Sequence, residues 1–488
     1  MATSRTRRSF LLGSGNILSG LVGLLTLACL ARLLSTSDYG SYRQVFLVFG
    51  TLAPMLSLAL PQALYYFLPR APEESRSILS ANLFSLLAMG GVFTLILWGG
   101  SGLIAARFHN PGLERLLLFF APYTLFALPL IALNPCLVSL NRVQLLVPFN
   151  LLSRLLMLAG AVLPVLWLAT TEAAVIGVVG ATAIASVAAV FLMYWVCREG
   201  PALPRWSQAS AQLRYSLPLG AAAILGMLSV NLDKLLVSAM FSPGELAVYA
   251  NGAMELPVIG VITGSVTAVL LPEFAGLFQR GAHQEALQLW HRAMLKCALI
   301  LLPIMVFCFV MAPEIIRLLF SAKYGASVIP FRIYLLNMPL RIASYAIIPQ
   351  AAGRNRVVLI VEAISGITQI VLGILLMRGL GPNGVAIAYV LNFYGAIWFG
   401  YLPWIRRYLG VSWAQIAPWR QLIKVSLACL VPVILLAPAP FLPEGNLFRL
   451  LILFPLYAAG VACLFHRWAL VDLKAQGLGI WRAFTPVV

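Results

Sequence analysis

Charge is what this 488-residue chain has least of: only 10% of its residues are Asp, Glu, Lys or Arg, and just 15 are acidic. A soluble domain carries about a quarter charged residues. With 61% hydrophobic residues and no stretch polar enough to clothe a globular domain, a water-soluble protein is excluded. Histidine is scarce as well, at His109, His283, His291 and His466. No His-Glu-x-x-His, Asp-x-Asp or Gly-x-Ser-x-Gly occurs, and the polar connections are too short to hold a catalytic domain. The seven cysteines (29, 136, 197, 297, 308, 429 and 463) lie in or beside apolar runs with no Cys-x-x-Cys, and they read as small core residues. Enzyme chemistry needs placed carboxylates, a nucleophile with its base, or a metal site. The sequence offers no catalytic set, no metal ligands and no cofactor motif.

The formal net charge of +18 does not indicate a nucleic-acid binder. Such proteins gather Lys and Arg on one soluble face, whereas here the 33 basic residues fall in small groups between apolar runs. That is how membrane topology is written. Arg5, Arg7 and Arg8 precede an apolar run from Phe10 to Leu34 that is too long for the core of a signal peptide, so it reads as an uncleaved first span.

A helix crosses a ~30 Å hydrocarbon layer with about 20 apolar residues. That ruler gives fourteen spans, near 10–34, 43–69, 78–106, 115–140, 145–169, 173–197, 215–241, 246–272, 296–313, 329–351, 357–378, 383–404, 421–440 and 446–466. With both termini inside, most basic residues fall on the inner side, among them Arg70, Arg76, Arg142, Arg354, Arg356, Arg406 and Arg407. Two stretches suit helices lying in the inner headgroups. One is 283–297, where Ala286, Leu287, Trp290, Ala293, Met294 and Cys297 share a face; the other is 405–420.

The chain repeats itself. Arg32-Leu-Leu-Ser-Thr-Ser-Asp38-Tyr-Gly40-Ser-Tyr42 corresponds to Ala239-Met-Phe-Ser-Pro-Gly-Glu245-Leu-Ala247-Val-Tyr249 at a shift of 207 residues, where the acid, the small residue and the tyrosine coincide. Asn141-Arg142-Val143 matches Asn355-Arg356-Val357, and Gly177-Val-Val-Gly180 matches Gly381-Pro-Asn-Gly384. The expected organisation is an all-α polytopic membrane protein with a six-helix lobe over 1–204 and a second over 205–420 that includes the interfacial helix 283–297. A helix pair with a tail follows over 421–488. An even number of spans per lobe gives both the same orientation, a parallel pseudo-repeat about an axis along the membrane normal.

Arg32-Leu-Leu, Tyr39-Gly40-x-Tyr42, Asn231-Leu-Asp233-Lys234-Leu-Leu and Glu245-x-x-x-Tyr249, together with the 6+6+2 plan, resemble the Wzx-type oligosaccharide-lipid flippases. These belong to the multidrug/oligosaccharidyl-lipid/polysaccharide (MOP) superfamily. The resemblance covers nearly the whole chain and is sharpest over 10–70 and 215–275. It implies a MATE/MOP-like fold in the bacterial plasma membrane and a substrate made of a glycan linked to undecaprenyl diphosphate. Movement to the outer leaflet would proceed by alternating access, with the prenyl tail near the last two spans. Assembly with a polysaccharide polymerase or ligase is left open. A cation-coupled multidrug exporter of the same superfamily is the alternative, although span 1 lacks the acid those proteins place there. The arginine-rich first helices of the lipid II flippase are not matched either.

Ionisable side chains cost at least ~2.5–3.5 kcal/mol at mid-bilayer, so those inside spans should face a cavity or a partner. Arg32, Lys234, Arg341 and Arg154 are the candidate cations for a diphosphate, and Asp233, Glu255, Arg43 and Glu362 the candidate coupling or ion-pairing groups. Adjacent residues point about 100° apart on a helix, so Asp233 and Lys234 are not expected to pair. Lys234 is expected to meet Glu255, leaving Asp233 to Arg32 or Arg43. Pro54 and Pro61 in span 2 and Pro257 and Pro272 in span 8 mark bends in corresponding elements. Tyr65, Tyr66, Tyr249 and Trp398 are candidates for stacking on sugar rings.

Overall fold

The structure is a computed structural model that describes residues 2–436 and 446–468. By contact the chain forms two compact units, Met1–Ala250 and Asn251–Val488. The first holds α1 (Ala2–Leu33), α2 (Thr36–Ser57), α3 (Leu60–Phe67), α4 (Ser75–Arg107), α5 (Gly112–Phe120), α6 (Tyr123–Ile131), α7 (Leu133–Ser139), α8 (Leu146–Leu168), α9 (Thr171–Val196), α10 (Trp206–Met240) and most of α11 (Pro243–Gly252). The second holds α12 (Pro257–Gln279), α13 (His283–Val310), α14 (Ala312–Phe320), α15 (Val328–Leu335), α16 (Ile347–Ala351), α17 (Asn355–Leu380), α18 (Pro382–Gly395), α19 (Leu402–Leu409), α20 (Trp419–Leu430) and α21 (Asn446–Arg467). Among the described residues there is no strand.

Nine helices among the described residues are long and apolar enough to cross a membrane, or eleven if each of two bent pairs is one span. Each of the fourteen expected spans contains helix among its described residues, so that count is compatible with the structure. Several spans are broken where the sequence has proline. Between Pro54 and Pro61, Leu58 and Ala59 adopt left-handed backbone (φ 48° and 55°), and α2 meets α3 at 43°. Proline lacks an amide and clashes with the preceding turn, so the ladder is already interrupted there. A Cβ on Gly220 would lie 2.9 Å from Leu58 Cα, so α10 passes this break at backbone distance. The eighth span divides into α11 and α12 at Ala253–Leu256, directly before Pro257.

The polar stretch read as a connection after span 6 is partly the start of a 35-residue helix, α10. Its polar side chains fasten it to α4. Ser77 donates to Gln208 Oε1 (2.6 Å), Gln208 Nε2 donates to Glu74 (2.6 Å) and Gln212 Nε2 donates to Ile78 O (3.0 Å). Asn82 Nδ2 is shared between Gln212 Oε1 (2.7 Å) and Leu60 O (2.8 Å). At the far end Gln44 Nε2 donates to Ser238 Oγ (3.0 Å), and Arg107 donates to Ala239 O (3.0 Å). Span 7 therefore packs within the first unit. The boundary at 204/205 follows the sequence repeat, whereas the contact boundary falls at Ala250/Asn251.

The expected interfacial helix 283–297 is not a separate element. It is the first half of the continuous 28-residue α13, because no breaker separates it from span 9. Its apolar face is the expected one, but protein covers it: Ala286, Leu287, Trp290 and Met294 are buried in one cluster with Phe274, Ile347, Ile405 and Ile416. The final helix pair packs on α13 and α14, with Tyr457 donating to Cys429 O (2.9 Å) and Phe307 edge-on to Phe454.

The repeat is visible as matched local chemistry. Ser35 Oγ accepts from Asp38 N (3.1 Å) and donates to the Asp38 carboxylate (2.6 Å), starting α2. Ser242 and Glu245 start α11 as a reciprocal capping box, with Ser242 N donating to Glu245 Oε2 (2.9 Å) and Glu245 N to Ser242 Oγ (3.3 Å). Gly40 of the first motif meets the second motif directly: a Cβ there would sit 1.9 Å from Pro243 O. Two of the matched glycines, Gly177 and Gly384, sit at close helix approaches. Gly177 lets α9 approach Gly160 of α8, and Gly384 lets α18 approach Leu376 of α17.

These contacts separate the glycines. Gly177→Ala is expected to force α8 and α9 apart and cost about 1–3 kcal/mol. Gly180→Ala, with nothing within 4 Å, is expected to be neutral or slightly stabilising. Thermal unfolding of the detergent-solubilised chain, followed by gel filtration, checks both; equal effects at the two positions would contradict the close-approach assignment.

Candidate functional site

In the first unit, Asp233 is fully buried on α10, and Tyr249 of α11 donates its hydroxyl to Asp233 Oδ2 at 3.0 Å. Lys234 Nζ lies 3.4 Å from the same oxygen. The expectation that these neighbours cannot pair is therefore corrected: the four-carbon lysine stem bends back along the helix and brings the ammonium round to the carboxylate. The Lys234 side chain is 21% exposed, so a buried acid holds a partly accessible cation. Nearby, Arg43 donates to Tyr39 Oη (3.0 Å) and to Ala250 O (3.3 Å). Arg32 is exposed in the last turn of α1, and Arg154 is exposed on α8.

In the second unit, two chain breaks meet. Glu255 lies on the non-helical segment Ala253–Leu256, and Arg341 on a run of turns from Leu336 to Ala346 between α15 and α16. Pro339 accounts for the unwinding, and Tyr394 donates to the freed Leu336 carbonyl at 2.9 Å. Arg341 Nη1 is 3.2 Å from Glu255 Oε1, and its guanidinium lies 5.1 Å from the Phe393 ring. Glu255, expected opposite Lys234, thus has Arg341 as its described ion-pair partner. Thr267 of the following helix α12 donates to Ser344 Oγ on the same run of turns at 3.0 Å. Glu362 of α17 accepts from Tyr401 Oη (2.9 Å), which projects from the π-helical segment Ala396–Tyr401 between α18 and α19.

Two further buried polar residues of the second unit were not singled out from the sequence. Asn337 is buried on the unwound run and Gln369 on α17, and none of their amide oxygens and nitrogens is hydrogen-bonded to a described residue. An uncharged amide inside an apolar run is a fainter signal than a charge, but it carries the same meaning. The candidate sugar-stacking aromatics are spread out. Tyr66 stacks on Tyr215 (4.6 Å) under Arg70, Trp398 lies beside Trp413 and Trp419, and Tyr249 serves Asp233. Among the described residues no three His, Cys, Asp or Glu side chains gather as a metal site.

Removing the hydroxyl in Tyr249→Phe takes a donor from a buried carboxylate and is expected to cost about 1–3 kcal/mol. Adding Asp233→Asn should recover part of that loss, because the desolvated charge is then gone. A double-mutant cycle by thermal unfolding measures the coupling, and additive effects would remove the bond from the account.

The chain has recognisable relatives among known proteins. It matches the family described as "Polysaccharide biosynthesis protein" over residues 29–329. No curated protein matches it. Among solved structures it resembles the lipid II flippase MurJ in an inward closed conformation. That match has a TM-score of 0.74 at 16% identity and covers 94% of this chain and 100% of the other. It also resembles an inward-facing multidrug resistance MATE family transporter of the MOP superfamily (TM-score 0.62, 18% identity, 82% and 98% covered). A third likeness is to a MOP superfamily transporter from Pyrococcus furiosus with a binding pocket of reversed polarity (TM-score 0.56, 16% identity, 83% and 96% covered). The fold is thus MurJ- and MATE-like. This multi-pass membrane protein belongs to the family described as polysaccharide biosynthesis protein.

Proposed function

We propose that the chain moves an undecaprenyl-diphosphate-linked oligosaccharide from the inner to the outer leaflet of the bacterial plasma membrane, both termini cytoplasmic, without catalysing any bond change. Arg341, Lys234, Arg32 and Arg154 are the stations for the diphosphate. The prenyl tail stays in lipid near the last helix pair.

The observation that carries this reading is the state of Arg341. It sits on unwound backbone, 31% exposed, between an aromatic ring and a carboxylate that is itself 50% exposed. Guanidinium binds phosphate in a bidentate fork, more strongly than one carboxylate oxygen. An arriving diphosphate can therefore displace Glu255, and the acid takes the arginine back when the substrate leaves. A drug cation would compete for Glu255 in the opposite sense, which is how the multidrug exporter would differ.

A strain lacking its surface-glycan flippase tests the proposal, with the intact chain compared at matched membrane levels with Arg341→Ala, Arg341→Lys and Lys234→Ala. Surface glycan should be restored by the intact chain, lost with either alanine variant and partly retained with Arg341→Lys. Absence of rescue in a donor of matched glycan type, together with drug efflux that depends on Glu255, would replace this reading with the exporter.

A further inference from the structure

The second unit contains a cavity of about 690 Å³ that none of the stations above lines. Its walls are Gly353, Arg354, Asn355, Arg356 and Val357 on one side and Trp404, Arg407 and Tyr408 on the other. Three of these eight residues are arginines and none is acidic. All three arginines are exposed, and among the described residues none has a carboxylate within ion-pair distance. The Asn355-Arg356-Val357 motif of the repeat forms one wall of this cavity.

The backbone around it is fixed. Gly353 takes a left-handed conformation (φ 70°) that only glycine adopts without strain, and Arg354 N bonds back to Pro349 O at 2.8 Å. This turn places Arg354, Asn355 and Arg356 at the start of the 26-residue α17, whose first turn has no side-chain cap. Val357 N bonds back to Arg354 O (3.0 Å), and the helix dipole adds to the positive potential of the arginines. The opposite wall is α19, where Trp404 and Tyr408, one turn apart, stack at 4.9 Å. Tyr408 is held from behind by His283 (stacked, 5.2 Å) and by Phe278 (edge-on, 5.3 Å). Arg407 projects from the same turn of α19 toward the cavity.

Three cations, the positive end of a helix and a braced aromatic wall are the complement of a phosphate-bearing headgroup with a bulky substituent. We propose that this pocket binds the phosphate headgroup of a lipid from the leaflet at the N-terminal end of α17, which the distribution of basic residues assigns to the cytoplasmic side. Two lipids supply that chemistry, a polyprenyl diphosphate and an ordinary anionic phospholipid. The pocket is separate from Arg341 and Lys234, and its occupancy does not depend on transport.

The experiment places the photoreactive residue benzoylphenylalanine at Val357 in the full chain. The chain is reconstituted in phosphatidylcholine vesicles doped with undecaprenyl diphosphate or with phosphatidylglycerol, and the adduct is identified by mass. A lipid adduct is expected, falling by about ten-fold or more in Arg354→Ala/Arg407→Ala and weakening as salt is raised. An undecaprenyl diphosphate adduct that phosphatidylglycerol does not displace assigns the pocket to the polyprenyl carrier. Equal displacement assigns it to bulk phospholipid, and loss of the adduct to soluble pyrophosphate shows that the headgroup alone is recognised. No adduct, or an adduct indifferent to the arginine substitutions in chain that still elutes as a folded species, overturns the proposal. Because the readout is binding, a chain that crosslinks but fails to restore glycan defeats the transport reading and leaves this one standing.

Discussion

The first unit depends on how α10 is fastened. An amphipathic helix in water is held by its apolar face, but lipid is as apolar as leucine and gives two helices no comparable reason to prefer one another. The preference comes here from polar side chains that find partners only in one register. Glu74, Ser77, Asn82, Gln208 and Gln212 fix one end of α10 to α4, and Gln44, Arg107, Ser238 and Ala239 fix the other. A one-residue slip would strand several buried donors at once. The close passage of Gly220 past Leu58, and the position of Asp233 under Tyr249, follow from that register.

Two helical breaks further along the chain coincide with charge, at Glu255 and Arg341. An intact membrane helix satisfies its own backbone and leaves side chains as its only chemistry. Breaking it at Ala253–Leu256 and Leu336–Ala346 frees backbone groups and brings Glu255 and Arg341 to one point. Tyr394 on Leu336 O shows how such a group is repaid by a neighbour rather than by water.

Much of this was legible in the sequence because a bilayer makes a one-dimensional demand. Hydropathy located the spans, and the basic residues between them suggested the topology. Proline marked the breaks at Leu58–Ala59 and before Pro257. The repeated acids Asp38 and Glu245 were noticed, though not their role: each sits one turn after a serine and closes a helix cap. Pairing was not legible. Which acid meets Arg341 depends on where two unwound segments arrive, and Lys234 reached Asp233 through its own flexibility, which reasoning from helix angles discounts. The continuity of α13 was missed because a face that suits headgroups equally suits a protein core, and only tertiary packing decides between them.

The glycine contacts carry a consequence for motion. Where Gly160 faces Gly177, and Gly384 faces Leu376, the backbones touch with no side chain between them to act as a bearing. Surfaces meshed at that distance cannot slide by less than a full helical step. The pairs α8–α9 and α17–α18 are therefore stiff hairpins, each moving as one piece. Bending is easiest where the chain is already unwound, at Ala253–Leu256 and Leu336–Ala346, the segments that carry Glu255 and Arg341.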